Sequence, residues 1–168
     1  MFYDAIDNTH GLAIDPFKAL VAPRPIGWIS TLGKNGVVNP APYSFFNAVS
    51  EDPHFVMFGS GGRKDSQRNA EETGEFVCSL ATYELREAMN RTSAPVAPDV
   101  DEMKLVGLTP ALSRLVAPQR VKESPVAAIG GRSIFRAETE TRAQTPSCLA
   151  KSSASTLPTR RSSTAGST

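Results

Sequence analysis

The chain has 168 residues, of which 40% are hydrophobic, and a formal net charge of +1. This length suits a single domain, and the apolar content is sufficient for a core. A charge so close to zero gives no electrostatic argument for nucleic-acid binding. No apolar segment approaches the roughly 20 residues that span a bilayer, so a membrane protein is not expected either.

The N-terminus and the cysteines favour a cytoplasmic protein. The first residues, MFYDAIDNTHG, contain no charged leader followed by an apolar run, so we predict no secretion signal. Cys78 and Cys148 are too few and too far apart for a disulfide framework or a zinc site. His10 and His54 lack metal-ligand spacing, and we predict no metal site.

In chain order, the residue patterns predict short strands with a few short helices. After Asp15-Pro16 they predict one helical turn, and then a hairpin over 26–31 and 37–39 that turns at Gly33–Gly36. The later elements are predicted as strands over 54–59 and 75–80 and as helices over 83–91 and 101–106. A further helix is predicted to be capped by Asp65 or Ser66 and to run to about residue 73. Mostly extended chain with helical insertions favours a small antiparallel barrel or sandwich over a parallel α/β sheet.

The loop Asn39–Asn47 is the first candidate ligand site. It places amides and a hydroxyl between two prolines and two aromatic residues, which suits a flat heteroaromatic ligand with a polar tail. The same residues also fit a proline-stiffened turn that carries two core phenylalanines. Trp28, the only tryptophan, is by residue type more often a core residue than a ligand contact.

The second candidate site is the predicted helix start at Arg63-Lys64-Asp65-Ser66, which follows a glycine-rich loop. Free N–H groups, a lysine and a hydroxyl at a helix N-terminus favour a phosphate, although the same residues could simply begin a helix. The spacing is not that of a Walker loop, and no GxGxxG precedes a helix. No nucleophile–base set or carboxylate pair stands out, so we predict no catalytic residue and chemistry carried by a cofactor.

Three sequence blocks resemble the flavin reductase-like family, whose fold is the FMN-binding split barrel. They are APRPIGWIST, NPAPYSFFNAVSEDP and RKDSQRNAEETGEFVCSL, and the later pieces DEMKLVGLTP and PQRVKESPVA are similar as well. The resemblance covers roughly residues 10–128. It implies a mostly β, FMN-binding split β-barrel with short helical insertions that forms a homodimer.

The resemblance also implies a cofactor, an activity and a set of site residues. FMN would bind non-covalently and accept a hydride from NADH or NADPH at N5, then pass electrons to an acceptor such as free flavin or a partner monooxygenase. The implied FMN contacts are Trp28, Ser30, Thr31, Asn39, Ala41, Ser44, Phe45, Lys64, Asp65 and Ser66, with Lys64 neutralising the phosphate. The alternative is a non-catalytic flavin- or haem-binding module on a similar split barrel.

The chain departs from the family pattern after Ala127. Residues 129–168 contain 8 Ser and 7 Thr, so we predict an incomplete domain over 1–128 and an aberrant, disordered tail over 129–168. Ile129-Gly130-Gly131 and Ala150–Leu157 stand where the family has Leu-Glu-Val and Gly-Glu-Val-Val-Gly-Ile-His-Ile, and codons for those residues read one base out of step give the residues present.

We therefore hypothesise a frameshift from about residue 128. The expected consequences are missing C-terminal strands, unpaired strand edges and weak or absent FMN binding, with an inactive truncated product as the extreme case. The nucleotide sequence of the gene tests the hypothesis directly.

Overall fold

The structure is a computed structural model that describes residue 7 and residues 9–131 and 147–154. Its helices are α1 Phe17–Leu20, α2 Asp65–Thr73, α3 Arg86–Arg91 and α4 Glu102–Leu105. Its strands are β1 Gly27–Leu32, β2 Val38–Tyr43, β3 Phe46–Glu51, β4 His54–Gly59, β5 Glu75–Ser79, β6 Pro110–Ala111, β7 Arg120–Val121, β8 Ala127–Gly131 and β9 Ser147–Ala154. Among the residues described, no helix is both long and apolar enough to cross a membrane.

Seven of the strands form one antiparallel sheet in the order β2-β1-β5-β8-β9-β4-β3, and β6 pairs with β7 separately. The two edge strands, β2 and β3, are not hydrogen-bonded to each other, so the described strands form no closed barrel. The sheet nevertheless curls back on itself, because the ring of Phe46 in β3 lies against Gly27 in β1. This architecture confirms the mostly β split-barrel prediction.

Strand β1 is buried on both faces and separates two hydrophobic clusters. Ile29 packs on the inside of the curl with Tyr43, Phe58, Ala70, Phe76 and Cys78. Trp28 points the other way and packs with Val38, Met103, Leu108 and Val121. The alternation of side chains along a strand explains how neighbouring residues reach opposite cores. Helices α2 and α4 are therefore fixed against the sheet from its two sides.

Several predicted elements are confirmed, and the loop Asn39–Asn47 is corrected. Strand β4 has the predicted bounds, and Gly74 ends α2 as predicted, with φ 73°. Helix α2 begins at Asp65, so Lys64 holds the cap position that was predicted for Asp65 or Ser66. The predicted loop is instead most of β2 and the start of β3, because Pro40 and Pro42 pair with β1 on an edge strand. A proline on an edge loses only a hydrogen bond that would face solvent. Helix α3 begins at Arg86 rather than at residue 83.

The C-terminal strands are present, so the prediction that they are missing is wrong. Strand β8 pairs with β5, and β9 pairs with both β4 and β8. A strand edge offers backbone N–H and C=O groups, and an extended segment can form hydrogen bonds with them regardless of its side chains. For this reason a segment with an atypical sequence can still form a strand there. The rest of the predicted disordered tail, 132–146 and 155–168, lies outside the described residues. The frameshift hypothesis can be tested only with the nucleotide sequence, so it stays a prediction.

Replacing Gly27 by alanine should destabilise the fold, because a Cβ atom there would lie 2.4 Å from Cδ2 and 2.6 Å from Cγ of Phe46. We expect Gly27→Ala to lower the free energy of unfolding by about 1–3 kcal/mol, the usual cost of overpacking. Urea denaturation measures the change. Gly61→Ala is the matched control, since a Cβ at Gly61 has no atom within 4 Å. Equal stability of the two variants would contradict the close approach of β3 to β1.

Candidate functional site

A cleft of about 320 Å³ opens between β2, the start of α2, the loop that follows α3 and the start of α4. Strand β2 supplies one wall, and the loop 92–96 supplies the opposite one. The lining residues are Asn39, Ala41, Pro42, Tyr43, Arg63, Lys64, Asp65, Ser66, Thr92, Ser93, Ala94, Pro95, Val96 and Glu102. The cleft thus joins the two segments that the sequence singled out, the Asn39–Asn47 region and the start of α2.

Asn39 joins three elements at this cleft. Its Oδ1 accepts a hydrogen bond of 3.0 Å from Ser66 Oγ in α2, and its Nδ2 donates to Glu102 Oε2 at the start of α4. Its backbone oxygen accepts from Thr31 Oγ1 at 3.4 Å, and Thr31 in turn accepts from Asn69 Nδ2 at 3.3 Å. Both ends of the Asn39 amide are therefore paired, which sets its orientation as long as Glu102 accepts the hydrogen bond.

Glu102 is a buried carboxyl group with only 6% of its surface exposed. Burial raises the pKa of Glu102 from 4.5 to about 7, because the charged form is poorly solvated there. The hydrogen bond from Asn39 acts in the opposite direction, and the nearby carboxylates of Asp65 and Asp101 add to the increase. Near neutral pH this group therefore exists in both protonation states.

The start of α2 presents positive potential to the cleft. The first N–H groups of a helix have no acceptor within it, and Lys64 occupies the position before its first residue with no side-chain cap. Lys64 is exposed and forms no ion pair with the described residues, whereas Arg63 lies 3.7 Å from Glu71. The carboxylate of Asp65 is compensated by Arg68 at 2.6 Å. These groups suit an anion at this end of the cleft.

Five of the ten predicted site residues line the cleft. They come from two segments that are far apart in the sequence, and the structure brings them together: Asn39, Ala41, Lys64, Asp65 and Ser66. Thr31 lies behind this group and reaches it only through its hydrogen bond to Asn39.

The other predicted residues are not at the cleft. Trp28 and Ser30 are 0% exposed, and Trp28 packs in the core while its Nε1 donates to Thr92 Oγ1 at 3.1 Å. Trp28 therefore supports the loop that forms one wall rather than offering its ring to a ligand. Ser44 and Phe45 follow the end of β2, where Phe45 stacks on Phe17 with ring centroids 6.3 Å apart.

Several residues that line the cleft were not predicted from the sequence. The predicted loop over 93–100 shows only two prolines among mostly small residues, which predict a loop and nothing of its position. Glu102 is the clearest omission, because its partner Asn39 is 63 positions away and no local pattern links them. The only signal was an acidic residue at the start of a predicted helix, next to Met103, which is fully buried.

The site offers binding groups rather than a protein nucleophile. Its available donors are the first backbone N–H groups of α2 and the ammonium of Lys64, which forms no ion pair with the described residues. Within the described ranges, no group of three or more His, Cys, Asp or Glu side chains could hold a metal ion. Such a site can bind and orient a ligand that carries an anionic group, while the reactive centre would belong to the ligand.

Known proteins are similar to this chain in sequence and in fold. Residues 20–142, more than half of the chain, match the family described as flavin reductase like domain. An uncharacterised protein of Aquifex aeolicus is 42% identical over 112 residues, which cover 64% of this chain and 57% of that protein. The chain therefore spans little more than half the length of this relative.

Solved structures agree with the family match. Nitrilotriacetate monooxygenase component B from Bacillus cereus is 30% identical with a TM-score of 0.78, over 90% of this chain and 78% of that one. Flavoredoxin of Desulfovibrio vulgaris (Miyazaki F) shares the fold with a TM-score of 0.70 at 17% identity, over 82% and 72% of the two chains. On the family match and this shared fold, the chain belongs to the flavin reductase-like family.

Proposed function

We propose that this chain binds FMN in the cleft between β2 and α2 and passes electrons from NADH or NADPH through it. The observation that carries the proposal is a cleft lined by β2 at which three groups meet. They are the N-terminus of α2, the hydroxyl of Ser66 and Lys64, which forms no ion pair with any residue that the structure describes. Membership of a flavin reductase-like family makes a flavin the expected ligand.

The phosphate of FMN would lie at the start of α2. Lys64 supplies a cation, the first-turn N–H groups supply donors, and α2 is nine residues long, so its dipole contributes as well. Charge-assisted hydrogen bonds of this kind are about twice as strong as neutral ones. Asp65 does not oppose this arrangement strongly, because Arg68 pairs with it.

The remaining part of FMN would lie along β2 and the loop 92–96. Ala41 and Pro42 are small or flat residues on an edge strand, and Tyr43 ends that strand against the core. The loop 92–96 is held to the core by the hydrogen bond from Trp28 Nε1 to Thr92 Oγ1. Two walls that are held by the core can orient a flat ring and keep water from one of its faces.

FMN held by Lys64 and the first turn of α2 would supply the hydride and electron chemistry between the nicotinamide and an acceptor. The protein would position the reactants, which agrees with a site whose described residues include no nucleophile–base pair. The name of the Bacillus cereus relative supports a partner monooxygenase as the acceptor system.

A homodimer in the cytoplasm completes the proposal. Large apolar side chains of the N-terminal segment and of β3 are exposed in the single chain, a surface that a second copy could cover. They are Leu12, Ile14, Phe17, Leu20, Val21, Ile26 and Val49.

Replacing Lys64 should weaken FMN binding specifically through the phosphate. We expect Lys64→Ala to raise the dissociation constant for FMN by about 10- to 100-fold, as for loss of one charge-assisted contact, and to leave riboflavin binding unchanged. Quenching of flavin fluorescence measures both constants. Lys34→Ala is the control, because Lys34 pairs with Glu72 outside the cleft. FMN affinity that is equal in both variants would refute a phosphate site at α2.

Bound flavin should lose its visible absorbance when NADH or NADPH is mixed with the FMN-loaded protein under anaerobic conditions. Stopped-flow absorbance with each nicotinamide measures the rate, and free FMN at the same concentration is the control. A flavin that binds but is not reduced faster than free FMN would favour the non-catalytic binding module. A protein that binds no flavin would instead be the inactive product.

A further inference from the structure

The chain of hydrogen bonds from Ser66 through Asn39 to Glu102 has a direction. A serine hydroxyl has one proton to donate, and Ser66 donates it to Asn39 Oδ1. Asn39 then presents its NH2 group to Glu102, which accepts. In this arrangement Ser66 can only accept a further hydrogen bond, so it has no proton to offer an anion in the cleft.

The reverse direction requires a proton on Glu102. A protonated Glu102 can donate to Asn39 Oδ1 once the amide has turned over, and the Asn39 NH2 group then donates to Ser66 Oγ. The Ser66 proton is released from Asn39 and can be donated to an anion. The only change in composition is one proton added to Glu102, taken from solvent, and no covalent bond between heavy atoms forms or breaks.

We propose that Glu102 is a positioning residue whose protonation turns the Asn39 amide and frees the Ser66 hydroxyl for a phosphoryl group in the cleft. The proposal deepens the proposed function and depends on it, since the ligand is the FMN phosphate. Anion binding and proton uptake at Glu102 are then coupled, so each favours the other.

The surroundings of Glu102 make both directions accessible near neutral pH. Its pKa is raised to about 7, chiefly by burial. Strand β2 faces it with the neutral Asn39, and the lining of the loop 92–96 is uncharged. The charged side chains around it are Asp65 with Arg68 from α2, Asp101 with Lys104 from its own turn, and Arg63 and Lys64 at the cleft.

The test compares FMN affinity of the wild type and Glu102→Gln across a pH series. A glutamine is neutral at every pH and its NH2 group can donate to Asn39, so this variant permits the reverse direction at every pH. Ionisation of the FMN phosphate affects binding to both proteins equally, so its effect cancels in the ratio of the two dissociation constants. We expect the wild type to become weaker relative to Glu102→Gln by up to about tenfold per pH unit above about pH 7. A ratio that does not change with pH overturns the proposal.

A second pair of variants separates the hydrogen-bond chain from simple charge repulsion. In a Ser66→Ala background the hydroxyl is absent, so the pH dependence of the ratio between Glu102 and Glu102→Gln should disappear. Repulsion between an ionised Glu102 and the phosphate would survive the loss of Ser66, and a ratio that still rises would overturn the role of Ser66. Glu87→Gln, which removes an exposed carboxylate on α3, should follow the wild type throughout.

Two further measurements keep the outcome decisive. Calorimetry of FMN binding in buffers of different ionisation enthalpy measures proton uptake and needs no variant. We expect the wild type to take up about one proton near pH 8, where the FMN phosphate is already doubly ionised. No uptake at that pH contradicts the coupling. If the wild type binds no FMN, the proposed function fails, and sulfate, whose charge is constant over this range, replaces FMN in the same comparison. Equal sulfate affinity of wild type and Glu102→Gln at every pH then overturns the inference separately.

Discussion

The cleft depends on the paired amide of Asn39. Its hydrogen bonds to Ser66 and Glu102 connect an edge strand to the start of α2 and to α4, two elements that pack on opposite sides of the sheet. A strand at the edge of a sheet has a partner on one side only, so contacts of this kind replace the missing neighbour. Without them, neither the wall of β2 nor the position of the helix start would be defined.

The two cores make that connection possible. Strand β1 is buried on both faces, with Ile29 in one cluster and Trp28 in the other, and it carries β2 along its edge. Because β1 cannot move without disturbing both clusters, β2 is held at a fixed distance from α2 and α4. Trp28 has a further effect, since its hydrogen bond to Thr92 also sets the position of the opposite wall.

Charge at the cleft is divided between two ends. The start of α2 and Lys64 favour an anion, whereas the buried carboxyl group of Glu102 is most stable there without its charge. A buried ionisable group near a cation site is costly unless it has partners, and here Asn39 supplies one. Under the proposed function, a phosphate at the start of α2 and a neutral Glu102 would favour each other, so ligand binding would be linked to protonation.

Local patterns in the sequence determined the strand at 54–59 and the end of α2 at Gly74, because those features depend on neighbouring residues. The resemblance to the flavin reductase-like family carried the fold class. Only the tertiary structure decided that Asn39 meets Ser66 and Glu102, that Trp28 lies in the core and supports a wall, and that prolines occupy an edge strand. It also placed β8 and β9 in the sheet, since backbone pairing depends on the available strand edges and very little on side-chain identity. Contacts between residues more than 60 positions apart leave no local trace, and the buried carboxyl group of this cleft is such a contact.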